Sequence, residues 1–247
     1  MTKKALSLLL CLVLVLGMLP LQIFAAETVQ IGTEEELLKF AERVNSGENG
    51  LDAVLTADIT VNAPWNPIGP AKNAYSGTFD GQGHTVTLNG GIVFTDTGER
   101  YGLFNTVTGT VQNVTAAGTV DLAGQAGNTG GVAGYLEAGG LIQNCRNTAA
   151  VSGKFNIGGI AGMSKGSVSQ CLNTGSITGS TGTAGGIVGI ASKGGNIFSC
   201  GNTGAVQGKS GVGGIAGNNM GTDISDAYNT GAVSASDKNA GGIACRT

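Results

Sequence analysis

A Gly-Gly pair followed by an aliphatic residue begins at Gly130, Gly158, Gly185, Gly213 and Gly241, at steps of 28, 27, 28 and 28 residues. A period of this length constrains the fold more than any single motif. Each copy must make the same structure and meet its neighbours in the same way. Three further columns keep the same time. Ile142, Val168, Ile197 and Ile224 form the first. Cys145, Cys171, Cys200 and Ala227 stand three residues later, and Val151, Ile177, Val206 and Val233 six residues after those. A degenerate earlier copy runs through Leu103, Val111, Val114 and Val120.

Each copy supplies three short aliphatic clusters separated by Gly, Ser, Asn and Thr. Clusters of this length are too short for helices and read as strands bounded by turns. No single copy buries its own apolar side chains, whereas stacked copies turn each column into a ladder inside one core. The pattern predicts an all-β fold, a right-handed parallel β-helix (β-solenoid) of about seven 27–28-residue coils. At about 4.8 Å per coil the rod would be roughly 30–35 Å long. Glycine, 45 of the 247 residues, is expected at positive-φ corners and at close backbone approaches. Asn147, Asn173, Asn202 and Asn229, each followed by Thr, read as turn chemistry with amides hydrogen-bonded up the stack, rather than as a ligand-binding ladder.

The two ends differ from the middle. Lys3 and Lys4, an apolar run from Ala5 to Leu19, Pro20, and then Ala25 and Ala26 read as a secretory signal peptide over residues 1–26. Cys11 lies inside the run without the surroundings of a lipoprotein site, and a retained membrane anchor is the alternative. Thr33 followed by Glu34, Glu35 and Glu36 is a capping-box pattern. Leu37, Phe40, Ala41 and Val44 follow at helical spacing up to Asn45-Ser46-Gly47. This predicts a strand and amphipathic helix over 27–50 that cover the open end of the core. Irregular coils over 51–129 follow, beginning with strands at Ala53 to Val61 and Ser76 to Leu88. Regular repeats occupy 130–247, the last one truncated, with Cys245 where other copies carry Gly162, Gly189 and Gly217. An uncapped last coil predicts continuation by further sequence or by a partner chain.

Composition narrows the function. Without Lys3 and Lys4 the 13 basic residues become 11 against 16 acids, a net charge of −5 with no basic stripe. Nucleic-acid binding is therefore not expected, and after signal cleavage the chain is not read as an integral membrane protein. The sequence points to no cofactor and no metal. Cys145, Cys171 and Cys200 stack in phase, so their parallel side chains suit free core thiols better than a disulfide. No CxxC or nearby His accompanies them. The one histidine, His84, follows Asp80 in "GTFDGQGHTV". A general acid–base site would use such a pair, but a turn between strands is the preferred reading, and no second carboxylate matches Asp80 in register. From residue 101 onward the acids Asp121, Glu137, Asp223, Asp226 and Asp237 share no column. Lys154 and Lys209 share a phase two repeats apart, and Lys165 and Lys193 nearly share one. They read as solubilising loop-tip groups, or as a face for an acidic glycan or wall polymer. Asn113-Val114-Thr115 is a glycosylation sequon, relevant only in a eukaryotic host.

"YGLFN", "GGVAG", "GGIAG" and "GGIVG", alternating with segments such as "CLNTGSITG", resemble the bacterial GLUG-motif repeat. The opening "IGTEEELLKFAERVNSG", "LTADI", "WNPIG" and "SGTFDGQGHTVTL" is similar to the N-terminal part of such surface proteins, so the likeness runs from about residue 29 to the end. The resemblance implies β-helical stalks of secreted or wall-attached bacterial proteins, some linked to adhesion and others beside the protease domain of immunoglobulin-cleaving metalloenzymes. The sequence shows no HExxH and no sorting signal, so neither proteolysis nor a mode of attachment is carried over. The expectation is a non-catalytic extracellular or cell-surface module, an adhesin-type stalk that meets cell-wall or host glycans or surface proteins. The alternatives are a carbohydrate-active enzyme with its site around Asp80, His84, Glu99 and Arg100, or the N-terminal scaffold of a longer surface enzyme.

Overall fold

Residues one period apart are hydrogen-bonded neighbours along the chain. In the computed structural model, which describes residues 28–94, 100–122 and 124–245, Ile142 pairs with Val168, Val168 with Ile197 and Ile197 with Ile224, all in parallel. Val151, Ile177, Val206 and Val233 stack likewise. So do Gly130, Gly158, Gly185, Gly213 and Gly241. The chain is a parallel β-solenoid of about seven turns. Its described strands form an eight-stranded sheet from Thr28–Ile31 to Asp223–Ser225 and a five-stranded sheet from Phe104–Val107 to Ala216–Met220. The remaining strands belong to a fifteen-stranded sheet. The predicted signal segment lies outside the described residues.

Burial follows the columns. Ile142, Val168, Ile197, Val151, Ile177 and Val206 are at most 1% exposed, and each such side chain contributes about 1.5–3 kcal/mol by leaving water. One helix, α1 (Glu34–Ser46), closes the N-terminal end. Thr33 Oγ1 accepts from the Glu36 amide, and the Glu36 carboxylate accepts from the Thr33 amide, which completes the expected capping box. Gly47, at φ 126°, ends the helix. Its buried face places Phe40 against Tyr75 and Phe79, ring centroids 6.0 Å away in each case, and both of those rings lie 5.3 Å from Phe104. The helix is thus bound to the coils by four aromatic rings.

The early coils differ from expectation in strand length. Ala53–Val61 divides into Asp52–Leu55 and Ile59–Val61, and Ser76–Leu88 into Thr78–Asp80 and Thr85–Leu88. Between the latter two the chain turns through Gln82 (φ 50°) and Gly83 (φ 85°). The corners of the regular coils also differ. Asn147, Asn173, Asn202 and Asn229 lie in strands. The left-handed corners sit instead one residue before the cysteine column, at Asn113, Asn144, Gln170, Ser199 and Asp226, all with φ between 49° and 55°.

The Gly-Gly pairs serve the second expected purpose, close approach. A Cβ on Gly158 would lie 2.0 Å from the Ala161 carbonyl oxygen, where the chain folds back on itself. One on Gly159 would lie 2.2 Å from Gly186 O and 2.5 Å from the Asn173 amide carbon. The second glycine of each of the first four pairs therefore makes the space that the asparagine ladder occupies.

Candidate functional site

The residues that could have formed an acid–base site are distributed among separate hydrogen-bond networks. Asp80 ends the strand Thr78–Asp80, whose next neighbour in the stack is Thr110–Gln112. Oδ1 of Asp80 accepts from the Gln82 backbone amide at 2.9 Å and from Asn113 Nδ2 at 2.9 Å. Oδ2 accepts from Gln82 Nε2 at 2.8 Å and Gln112 Nε2 at 3.0 Å. Two amide ladders continue upward, from Gln143 to Gln112 and from Asn144 to Asn113, each at 2.7 Å. Partial burial raises the Asp80 pKa, but the bonds from Asn113, Gln82 and Gln112 outweigh it and hold the carboxyl below its ordinary value. A carboxylate so occupied is an anchor for two ladders and a poor proton acceptor.

His84 faces a different acid. Its Nδ1 lies 3.3 Å from Asp58 Oδ1, and the same carboxylate accepts from the Thr85 amide at 2.8 Å. The Thr85 amide, and after it His84, hold Asp58 below the usual carboxylate range. Sequence reasoning missed Asp58, although it stands 26 residues before His84, one coil away. Arg100 is directed elsewhere again. Its guanidinium donates to Thr106 Oγ1 at 2.9 Å and lies 4.3 Å over the Tyr135 ring. Glu99 lies outside the described residues. The structure therefore does not gather Asp80, His84 and Arg100 into one site.

The cysteine column is buried, with Cys145, Cys171 and Cys200 at most 2% exposed and all three thiols free. Each Sγ donates toward the carbonyl two residues back, Gln143, Ser169 or Phe198, at 3.2–3.4 Å. Burial pushes the Cys171 thiol up, away from the reactive thiolate. Cys245 is also free and buried. Among the described residues no three His, Cys, Asp or Glu side chains gather as metal donors would. The sequon does not present a free amide, since Asn113 Nδ2 donates to Asp80 and its Oδ1 accepts from Asn144.

The lysine phases separate into two environments. Lys165 shares the Tyr135 ring with Arg100, its Nζ 5.7 Å from the centroid. Lys209 lines a groove of about 390 Å³ that crosses three successive coils. Thr178, Gln207 and Ser234 form one wall, in register with each other. Lys209, Ser180 and Ser236 form the other, over a floor of Gly179, Gly208 and Ala235.

No curated protein matches the sequence. Among solved structures, the chain is similar to a candidate immunoglobulin A1 protease from Bacteroides ovatus, with 20% identity and a TM-score of 0.57. The likeness covers 81% of this chain and 74% of that one, and at this identity it shows the fold. The GLUG motif matches residues 125–152 and 208–234. Those segments are two of the stacked copies described above, each carrying one residue of the asparagine ladder, Asn147 or Asn229, and the chain is accordingly a parallel β-solenoid in which two coils match the GLUG motif.

Proposed function

We propose that the protein is a non-catalytic β-solenoid that works outside the cell as an adhesin-type stalk or binding module. The observation that carries this reading is the state of Asp80. Both oxygens of the best-placed acid are saturated by amide donors, and its presumed proton partner belongs to Asp58. The basic N-terminal residues and apolar run of 1–26 support export. Stacked coils suit a stalk, because each coil adds a fixed rise and repeats the same outward columns. A second reading, scaffold of a longer surface enzyme, is favoured by the likeness to a candidate immunoglobulin A1 protease.

The test is retention of the purified protein on bacterial wall fractions, host matrix and a panel of glycans, with immunoglobulin A1 incubated in parallel. Saturable binding with intact immunoglobulin supports the binding module. Failure to bind any of these surfaces contradicts it, and cleavage of the immunoglobulin would favour the enzyme scaffold.

A further inference from the structure

Polar side chains on the outward face of the fifteen-stranded sheet change character along the rod. Toward the N-terminus they pair with each other: Ser152 Oγ donates to Asp121, Asn156 to Asn128 at 2.6 Å, and Thr183 to Asn156 at 3.2 Å. Further along the same face the pairing stops. Among the described residues the side chains of Thr178, Ser180, Gln207, Lys209, Ser234 and Ser236 have no hydrogen-bond or ionic partner. These six side chains line the groove of about 390 Å³. The ladder also slips here, between Gly208 and Ser210, so that two steps on one strand oppose three on the next. A bulge of this kind re-aims the side chains beside it, and Lys209 is the residue at the slip.

Resting on the binding-module reading above, we propose that this groove binds an acidic polysaccharide. Hydroxyls and an amide repeated from coil to coil offer alternating donors and acceptors to the hydroxyl groups of an extended sugar chain. The unpaired Lys209 ammonium supplies the charge for a sugar carboxylate. A floor of glycine and alanine backbone offers no apolar hole for a peptide side chain. One coil back, Phe155 is 43% exposed with Lys154 Nζ 5.7 Å from its ring centroid. The amides of Thr181 and Gly182 donate to the Lys154 carbonyl, so this turn lies directly beneath the one carrying Ser180. A sugar chain leaving the groove toward the N-terminus therefore meets an aromatic face and a second ammonium.

Calorimetric titration of the full chain with polygalacturonate oligomers, at low and high salt, tests the proposal. Wild type binds, and binding weakens with salt. Lys209→Gln weakens it roughly 10-fold or more, the order expected for one charge-assisted hydrogen bond. Lys209→Arg retains most of the affinity, and Lys193→Gln, outside the groove, binds as wild type, with melting temperatures unchanged throughout. Gln207→Ala combined with Ser234→Ala gives a smaller loss. Unaltered binding by Lys209→Gln, or dextran binding as tightly as polygalacturonate, overturns the proposal while leaving a binding module standing. Failure of every polymer and wall fraction to bind overturns both.

Discussion

Asn173 illustrates how little freedom single residues have in this molecule. Its Nδ2 donates to Asn202 Oδ1 and to Gly175 O, and its Oδ1 accepts from Asn147, at 2.7–2.9 Å, with no exposure to water. Asn173→Leu strands the Asn147 and Asn202 amides, each a buried group worth about 1–3 kcal/mol. Chemical denaturation should show a loss of that order. Gly159→Ala should cost at least as much with no polar group lost, since its Cβ would collide with both the Gly186 carbonyl and the Asn173 amide. Asp80 contributes to the pH dependence, as does Asp58. A carboxyl whose folded pKa is depressed stabilises the fold fully above its unfolded value, about pH 4, and that stability disappears as pH falls through the folded value. In Asp80→Asn, denaturation curves should therefore lose part of their acid sensitivity below about pH 4, and stability at neutral pH should drop by about 1–3 kcal/mol.

At the scale of elements, the helix, the three strand columns and their period were legible in the sequence because each depends on apolar spacing. The capping box at Thr33 and Glu36 was legible for a different reason, being a polar pattern local in sequence. Contacts across the early coils were hidden. Asp80 meets Gln112 and Asn113 after an interval of 32 or 33 residues, longer than the regular period. His84 and Asp58 sit one coil apart, but at 26 residues, short of the regular period, so counting back 27 or 28 from the histidine reaches Ala57 or Thr56 instead. The left-handed corners escaped because Asn, Gln, Ser and Asp fill them in turn, with no glycine to mark the column. Tyr75 and Trp65, fully buried, lie in irregular segments where periodicity says nothing. Trp65 Nε1 donates to the Gly102 and Leu103 carbonyls, and Tyr75 Oη donates to Leu51 O. Phe40→Ala would remove the ring that joins α1 to this aromatic group, at about 3–5 kcal/mol. The first coils should then become susceptible to proteolysis while the regular repeats stay resistant, a difference limited digestion with mass spectrometry detects.

Over the whole molecule, one core runs from the helix to the last described coil, and the cysteines are part of its packing. With Cys145, Cys171, Cys200 and Cys245 free and buried, a thiol reagent should react slowly with the folded protein. All five cysteines of the full chain, Cys11 included, should titrate once it is unfolded without reductant, and two or more missing thiols would mean a bridge. The outward surface offers what the core does not: a groove with unpaired polar groups. The central claim is that this surface holds its ligand without altering it. Its most direct test is the chain-length distribution of polygalacturonate after prolonged incubation with the protein, from acidic to alkaline pH and with and without calcium. The account predicts a distribution identical to that of the polymer alone, for wild type and for Asp80→Asn. Shortening by wild type that Asp80→Asn abolishes would contradict it.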